Sequence, residues 1–337
     1  IPGATGYTNL SASIGLVSGV TVTLSSGSFS IPSLQTAANN HLSISGSGAL
    51  TLTGTATPST LLGSLNLSGG SFTANGPTAL SSLTQSGGTF GGAGTVTLSG
   101  ASTWSGGTWT NNTGTTVLAS GASLTASGNT NLARNIQVDT GATLTLAGDH
   151  EIDSSLTLSN AGTLVLSGTR LSQIFNAGGP ISLNNTGSIL KTGSSTSTFT
   201  LGDTNLSNTG TLSVQTGTLD YASGTGSSTN AFTIDAGATY RTTGASMTWA
   251  SGSSLNNAGT LATTNGTSTI AQTSSIAGAL QLSGGNLNIT APVTVSGAFT
   301  QTSGVLGGAG TLTLNNAANT WSGGTWTNNT GTTVLAS

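Results

Sequence analysis

Hydrophobic residues in this chain fall at every second position, in short runs punctuated by glycine. Ala49-Leu50-Thr51-Leu52, Thr95-Val96-Thr97-Leu98, Thr143-Leu144-Thr145-Leu146, Thr163-Leu164-Val165-Leu166 and Thr311-Leu312-Thr313-Leu314 share this form. Period two is the strand period: leucine faces a core, threonine faces water, and the β-branched threonine suits a pleated surface. Gly, Ser, Thr and Asn fill the chain and no segment keeps a helical period, so almost no α-helix is expected.

Many of these strands follow a common corner of Asn or Asp, any residue, Gly, then Thr, Ala or Ser leading into a hydrophobe. Its glycines are Gly114, Gly141, Gly162, Gly187, Gly210, Gly237 and Gly259. Glycine supplies positive φ at a tight bend, and Asn or Asp can bond its own backbone two residues on. The uneven steps between these glycines average to a coil of about 24 residues, holding three short strands and three corners. Such a unit cannot bury its own apolar face and must stack on copies of itself. The expected fold is all-β: a β-solenoid (β-helix) of roughly 14 coils, on the order of 65 Å long at about 4.8 Å per coil. Leucine should stack on leucine inside, and asparagine on asparagine at the corners.

A larger repeat encloses the smaller one. WSGGTWTNNTGTTVLAS occurs at 104–120 and again, letter for letter, at 321–337. LSGG at 67–70 returns at 282–285, and FGGAGTVTL at 90–98 returns as LGGAGTLTL at 306–314. Residues 121–337 therefore form one superrepeat of about 217 residues. That is close to nine coils of the expected length, which would place the second copy of the stretch on the same side of the coil as the first. Residues 1–40, with Pro2, Tyr7 and Pro32, depart from the pattern and are expected to form a divergent N-terminal coil or stacking end; 41–337 is expected to be one continuous solenoid. The chain opens at Ile1-Pro2 and stops at Ser337 in mid-coil. That is expected of a processed product, an excerpt of a longer repetitive chain, or a subunit on whose open edge another stacks.

Composition narrows the partners. Arg134, Arg170, Lys191 and Arg241 are the only basic side chains apart from two histidines, too few and too scattered for the stripe that nucleic acid or anionic lipid requires. No apolar run approaches the 18 or so residues of a spanning helix, so no membrane insertion is expected. A net charge of −3 gives little self-repulsion, which favours association with further copies, end to end or laterally. The absence of cysteine excludes disulfides, thiolate metal sites and thiol catalysis, and is compatible with an oxidising exterior.

Runs of the type GGAGTLTL followed by WSGGTW and NNTGTTVL resemble the repeats of very large bacterial extracellular β-solenoid proteins: adhesins, autotransporter-like passengers and surface fibres. The resemblance covers most of residues 40–337. It implies secretion to the extracellular side or cell surface, a structural or adhesive role and no catalysis.

Candidate chemistry is sparse. In AGDHEIDSS, an extended strand puts Asp149, Glu151 and Asp153 on one face and His150 on the other, and three alternating carboxylates form a weak candidate site for a hard cation such as calcium. The glycine-aspartate nonapeptides of calcium-binding β-rolls are missing. Asp139, Asp203, Asp220 and Asp235 are dispersed rather than paired as glycoside hydrolysis needs, and Asp139 and Asp235 occupy the corner position that Asn fills elsewhere, where Asx-type turns are expected. No nucleophile elbow or phosphate loop is present, so the chain is expected not to be an enzyme and to need no cofactor. Trp104 and Trp109 are separated by Ser-Gly-Gly-Thr, as are Trp321 and Trp326. Exposed, they would stack on sugar rings or a neighbouring fibre; buried or partly buried, the expected state, they plug a wide corner of the core. Flat threonine arrays on solenoids can bind ice, but the wandering spacing of the corner glycines spoils a strict lattice match. The sequence thus points to a structural segment of an extracellular fibre, sheath or stalk, with an adhesin shaft or glycan-binding segment as the alternative.

Overall fold

The computed structural model describes residues 12–14, 19–110, 113–152, 155–173, 179–327 and 331–336. The described residues contain no helix; they form short strands, most of four residues, joined by tight turns. The chain divides into two compact units, Ile1–Leu164 with Gln173–Gly179, and Val165–Ser172 with Pro180–Ser337.

In the first unit most coils contribute three strands, as in Thr95–Leu98, Ala101–Trp104 and Thr108–Trp109. The next coil, Thr115–Leu118, Ser123–Ala126 and Thr130–Leu132, lies against it strand for strand, parallel and in register: Thr95 opposite Thr115, Ala101 opposite Ser123, Thr108 opposite Asn131. Two longer strands, Ser59–Leu67 and Thr78–Gln85, run through the corner between the first and second sides. The second unit repeats the plan. Ile181–Asn185, Ser188–Lys191 and Thr198–Leu201 pair with Thr204–Asn208, Thr211–Val214 and Thr218–Tyr221. This is a parallel β-solenoid in which every backbone ladder runs from coil to coil.

Period two explains the filling. In Thr143–Leu146 the first and third side chains face out while Leu144 and Leu146 are buried, and the same alternation recurs in Ala49–Leu52, Thr163–Leu166 and Thr311–Leu314. In-register stacking turns each buried position into a column. On the third side of the first unit the buried column reads Leu50, Phe72, Phe90, Trp109, Leu132, with Phe29 exposed at its head. On the third side of the second unit it reads Phe199, Leu219, Tyr240, Leu261, Leu280, Phe299. Each large apolar side chain removed from water contributes about 1.5–3 kcal/mol, so stability accrues coil by coil.

Coil length varies along the chain. A short turn runs from Ser71 to Thr89, a long one from Gln35 to Thr60, and an insertion-bearing one from Arg170 to Thr200. Most take about 20 residues, fewer than the corner glycines suggested. The turns number about fifteen, one per strand of the third side. The corner motif misleads because it changes corners. Gly114 precedes the first strand of its coil and Gly141 the second; Gly210 precedes the second strand and Gly237 the third. The two longest steps, Gly114 to Gly141 and Gly210 to Gly237, therefore span one turn plus one side.

The physical need for these glycines also differs from corner to corner. Gly141 and Gly237 adopt left-handed φ of 83° and 81°. Gly162 and Gly259 do not: a Cβ on either would collide with two backbone carbonyl oxygens of the preceding coil, those of Asp139 and Ala142 or of Asp235 and Ala238. Close approach of backbone, rather than backbone conformation, requires glycine there.

Candidate functional site

The first WSGGTW stretch builds a buried aromatic core. Trp104 ends the second strand of its coil, Trp109 ends the third, and the turn between them brings the indoles to a stacked centroid distance of 4.5 Å. Both are buried, as expected, with 1% and 0% exposure. The column through Trp104 reads Gln85, Trp104, Ala126, Leu146, so a small alanine makes room for the indole below it. Trp109 packs on Phe90 at 5.2 Å and donates its Nε1–H to Gln85 Oε1 at 2.7 Å. Gln85 in turn donates to the Gly88 carbonyl at 3.3 Å, so a fully buried amide satisfies both its ends.

One coil further on, Arg134 lies wholly buried. Its guanidinium donates to the carbonyls of Gly92, of Gly94 at 2.6 Å and of Thr115 at 3.0 Å, and to Thr116 Oγ1 at 2.9 Å. It also lies 5.6 Å from the centre of the Phe90 ring. Burial lowers its pKa to about 10, so it remains charged at neutral pH. The fork reaches back across two coils and ties three together.

The acidic cluster resolves differently. Asp149–Ile152 is a strand with Asp149 and Glu151 outward and His150 inward, matching the expected alternation; Asp153 lies outside the described residues. Among the described residues no three His, Cys, Asp or Glu side chains group as metal ligands. His150 is buried, with Nδ1 2.7 Å from Thr130 Oγ1 and Nε2 accepting from the Gly148 amide at 3.2 Å. That pattern puts the proton on Nδ1 and leaves the ring neutral. Burial pushes its pKa down to about 4, against the opposing charge of Asp149 and a hydrogen bond with the Ala126 backbone.

The tryptophan pair of the second copy makes the same stack and the same glutamine bond as the first. Trp321 and Trp326 stack at 5.0 Å, and Trp326 Nε1 donates to Gln301 Oε1 at 2.5 Å. Gln301 donates to Gly304 at 3.2 Å. Gly308 has φ 105° where Gly92 has 106°. Burial is the difference: Trp326 is partly buried, within the expected range, whereas Trp321 is 58% exposed, contrary to the expectation. The first pair is covered by the strands Ser123–Ala126 and Thr130–Leu132; no described strand covers the second. An apolar cleft of about 370 Å³ opens there, lined by Phe299, Leu314, Trp321, Trp326 and Leu335 among others. The strand of Trp321 also follows that of Trp104 by thirty-one strands along the chain, which is ten coils and one strand rather than nine coils. The two pairs therefore occupy different corners of their coils.

In the second unit the corner asparagines form the expected ladder. Asn185 Nδ2 donates to Asn208 Oδ1 at 2.6 Å and Asn208 Nδ2 to Ser228 Oγ at 2.9 Å, all buried. The corners at Asp139 and Asp235 are closed by the backbone, the amides of Ala142 and Ala238 donating to the carbonyls of Asp139 and Asp235 at 2.9 Å each. The Asp139 carboxylate itself accepts from Gln137 Nε2 at 2.7 Å, so the Asx-type turn expected there gives way to a backbone turn. Buried Lys191 donates to the carbonyls of Thr192 at 2.6 Å and Thr216 at 3.1 Å and to Ser197 Oγ at 3.1 Å, and burial lowers its pKa. Asp220 pairs with Arg241 at 3.0 Å and accepts from Thr243 at 2.8 Å. The first side carries an open polar depression over three stacked strands, lined by Ser182, Asn184, Asn205, Ser207, Thr225 and Ser227, with Gly226 at its floor.

Comparison with protein-family models, curated proteins and solved structures finds no match. The function therefore rests on the geometry. The buried glutamines escape a reading of corners and tryptophans, although QSGG at 85–88 and QTSG at 301–304 recur ahead of each tryptophan pair. Arg134 has no such signal, because one basic residue among apolar neighbours carries no periodicity.

Proposed function

We propose that this chain is a structural subunit or segment of an extracellular fibre, sheath or stalk that assembles by β-solenoid stacking and lateral association. The observation that carries this is the in-register column structure. Strand edges run from coil to coil, outward positions bear mainly Thr, Ser and Asn, two of the basic groups, Arg134 and Lys191, are consumed inside by backbone carbonyls, and Arg241 is paired with Asp220. Such a rod carries load through its ladders and presents a surface with almost no charge, which is insensitive to salt and adheres to copies of itself. Electron microscopy at micromolar concentration in moderate salt tests it. Filaments with an axial repeat near a multiple of about 4.8 Å are the expected result; monodisperse single particles at every concentration would refute self-assembly.

The polar depression around Gly226 favours a second reading, an adhesin shaft that holds a surface glycan. Hydroxyl and amide groups at a strand spacing of about 4.8 Å match sugar hydroxyls in chemistry. Glycan-array binding that is lost on Asn205→Ala would favour it over the fibre.

A further inference from the structure

Asparagine followed directly by glycine occurs twice in the chain, as Asn75-Gly76 and as Asn265-Gly266. Glycine carries no side chain to shield its own amide nitrogen, so this dipeptide is the one most prone to let that nitrogen attack the preceding carboxamide. The fold holds the two copies differently.

At Asn75 the carboxamide is engaged away from the nitrogen that could attack it. Its Oδ1 accepts from the amide of Ala93, one coil on, at 3.3 Å, and Gly76 is buried. At Asn265 the Oδ1 accepts instead from the amide of Gly266, its own successor, at 2.9 Å. Nucleophile and carboxamide thus already face each other, which removes most of the rotation that ring closure otherwise requires. Asn265 is exposed and Gly266 partly so, in the turn between the strands Thr260–Thr263 and Thr267–Ile270, where water and hydroxide have access.

We propose that Asn265 is a site of spontaneous covalent modification, passing through a cyclic imide with Gly266 to aspartate and isoaspartate, with water as the co-reactant. Hydroxide takes the Gly266 amide proton and the nitrogen bonds to Asn265 Cγ; the Cγ–Nδ2 bond breaks, and Nδ2 leaves as ammonia after taking a proton from water. Water then opens the imide. Cleavage of the new N–Cγ bond gives aspartate; cleavage of the original peptide bond gives isoaspartate, whose backbone runs through Cγ and is one methylene longer. Either product adds a carboxylate to a chain of net charge −3. Isoaspartate also displaces the Gly266 carbonyl, which accepts from the Asn286 amide of the next coil at 2.8 Å. There is no room for the longer backbone, since Gly285 packs so closely that a Cβ on it would strike that same carbonyl. The modification therefore opens one rung of the coil-to-coil ladder. It does not depend on the fibre reading.

The test is ageing of the whole chain in mildly alkaline buffer, folded and in urea, followed by peptide mapping with mass spectrometry and enzymatic methylation of isoaspartate. Dividing each site's folded rate by its own rate in urea removes the effect of neighbouring sequence. On that scale Asn265 should convert at least about tenfold faster than Asn75. The Asn286 amide should exchange faster in the isoaspartate form, separated by ion exchange, than in fresh protein. Equal normalised rates at the two sites, or a faster Asn75, overturn the proposal. An Asn286 amide equally protected in both forms overturns the opening of the ladder.

Discussion

Replacing Arg134 by methionine isolates what a buried cation does inside a solenoid. Methionine keeps most of the apolar stem and removes the fork, stranding the carbonyls of Gly92, Gly94 and Thr115 in a dry corner. A buried acceptor left unpaired costs about 1–3 kcal/mol, so three cost on the order of 6 kcal/mol. The offset is the cation's own burial: the lowering of its pKa to about 10 corresponds to roughly 3 kcal/mol against the charged form, which methionine avoids. The net expectation is a local destabilisation of about 3 kcal/mol, confined to the coils the fork ties together. Hydrogen exchange by mass spectrometry over residues 90–118 reads this directly, and about 3 kcal/mol accelerates exchange by roughly two decades. Arg134→Lys, which keeps a charge but not the fork, should fall between the two. A methionine variant whose amides in 90–118 exchange within about threefold of the parent would show that the carbonyls find other partners and that the clamp is dispensable.

His150 titrates at about 4 in the folded chain, below its ordinary value, so on acidification the unfolded chain takes up the proton first. Its contribution should be intact above pH 6.5 and fall progressively towards pH 4 by up to about 3 kcal/mol. Chemical denaturation should show this loss and His150→Gln should remove it; identical pH slopes in both proteins would exclude a buried neutral imidazole. Trp104→Ala should cost about 3–5 kcal/mol and Trp321→Ala less than half as much, because Trp104 is buried and Trp321 is 58% exposed. Equal losses in local exchange would contradict this. Gly237→Ala meets open space at left-handed φ and should cost about 1 kcal/mol, whereas Gly259→Ala drives a Cβ into two carbonyls and should cost more than about 2 kcal/mol. A reversed order in thermal melts would refute the close-approach account.

The alternation of Thr-Leu-Thr-Leu was sufficient by itself to determine strand, face and stacking, because side-chain direction in a strand depends only on parity. It also put Asp149 and Glu151 on one face and His150 on the other, and the fold decided that the histidine face is the inner one. Coil length was not legible, since the Asn-x-Gly corner serves all three corners of the coil and its spacing mixes turns with sides. Nor was the reason for each glycine: Gly141 and Gly162 sit in nearly the same local sequence, yet one needs left-handed φ and the other needs room beneath the preceding coil. Only the tertiary structure decided the fate of the tryptophans. WSGGTWTNNTGTTVLAS is the same string twice, and in both copies its tryptophans stack and the second donates to a glutamine. Burial differs because it is a property of the neighbouring coil: Ala126, Leu132 and Arg134 lie outside the string they cover.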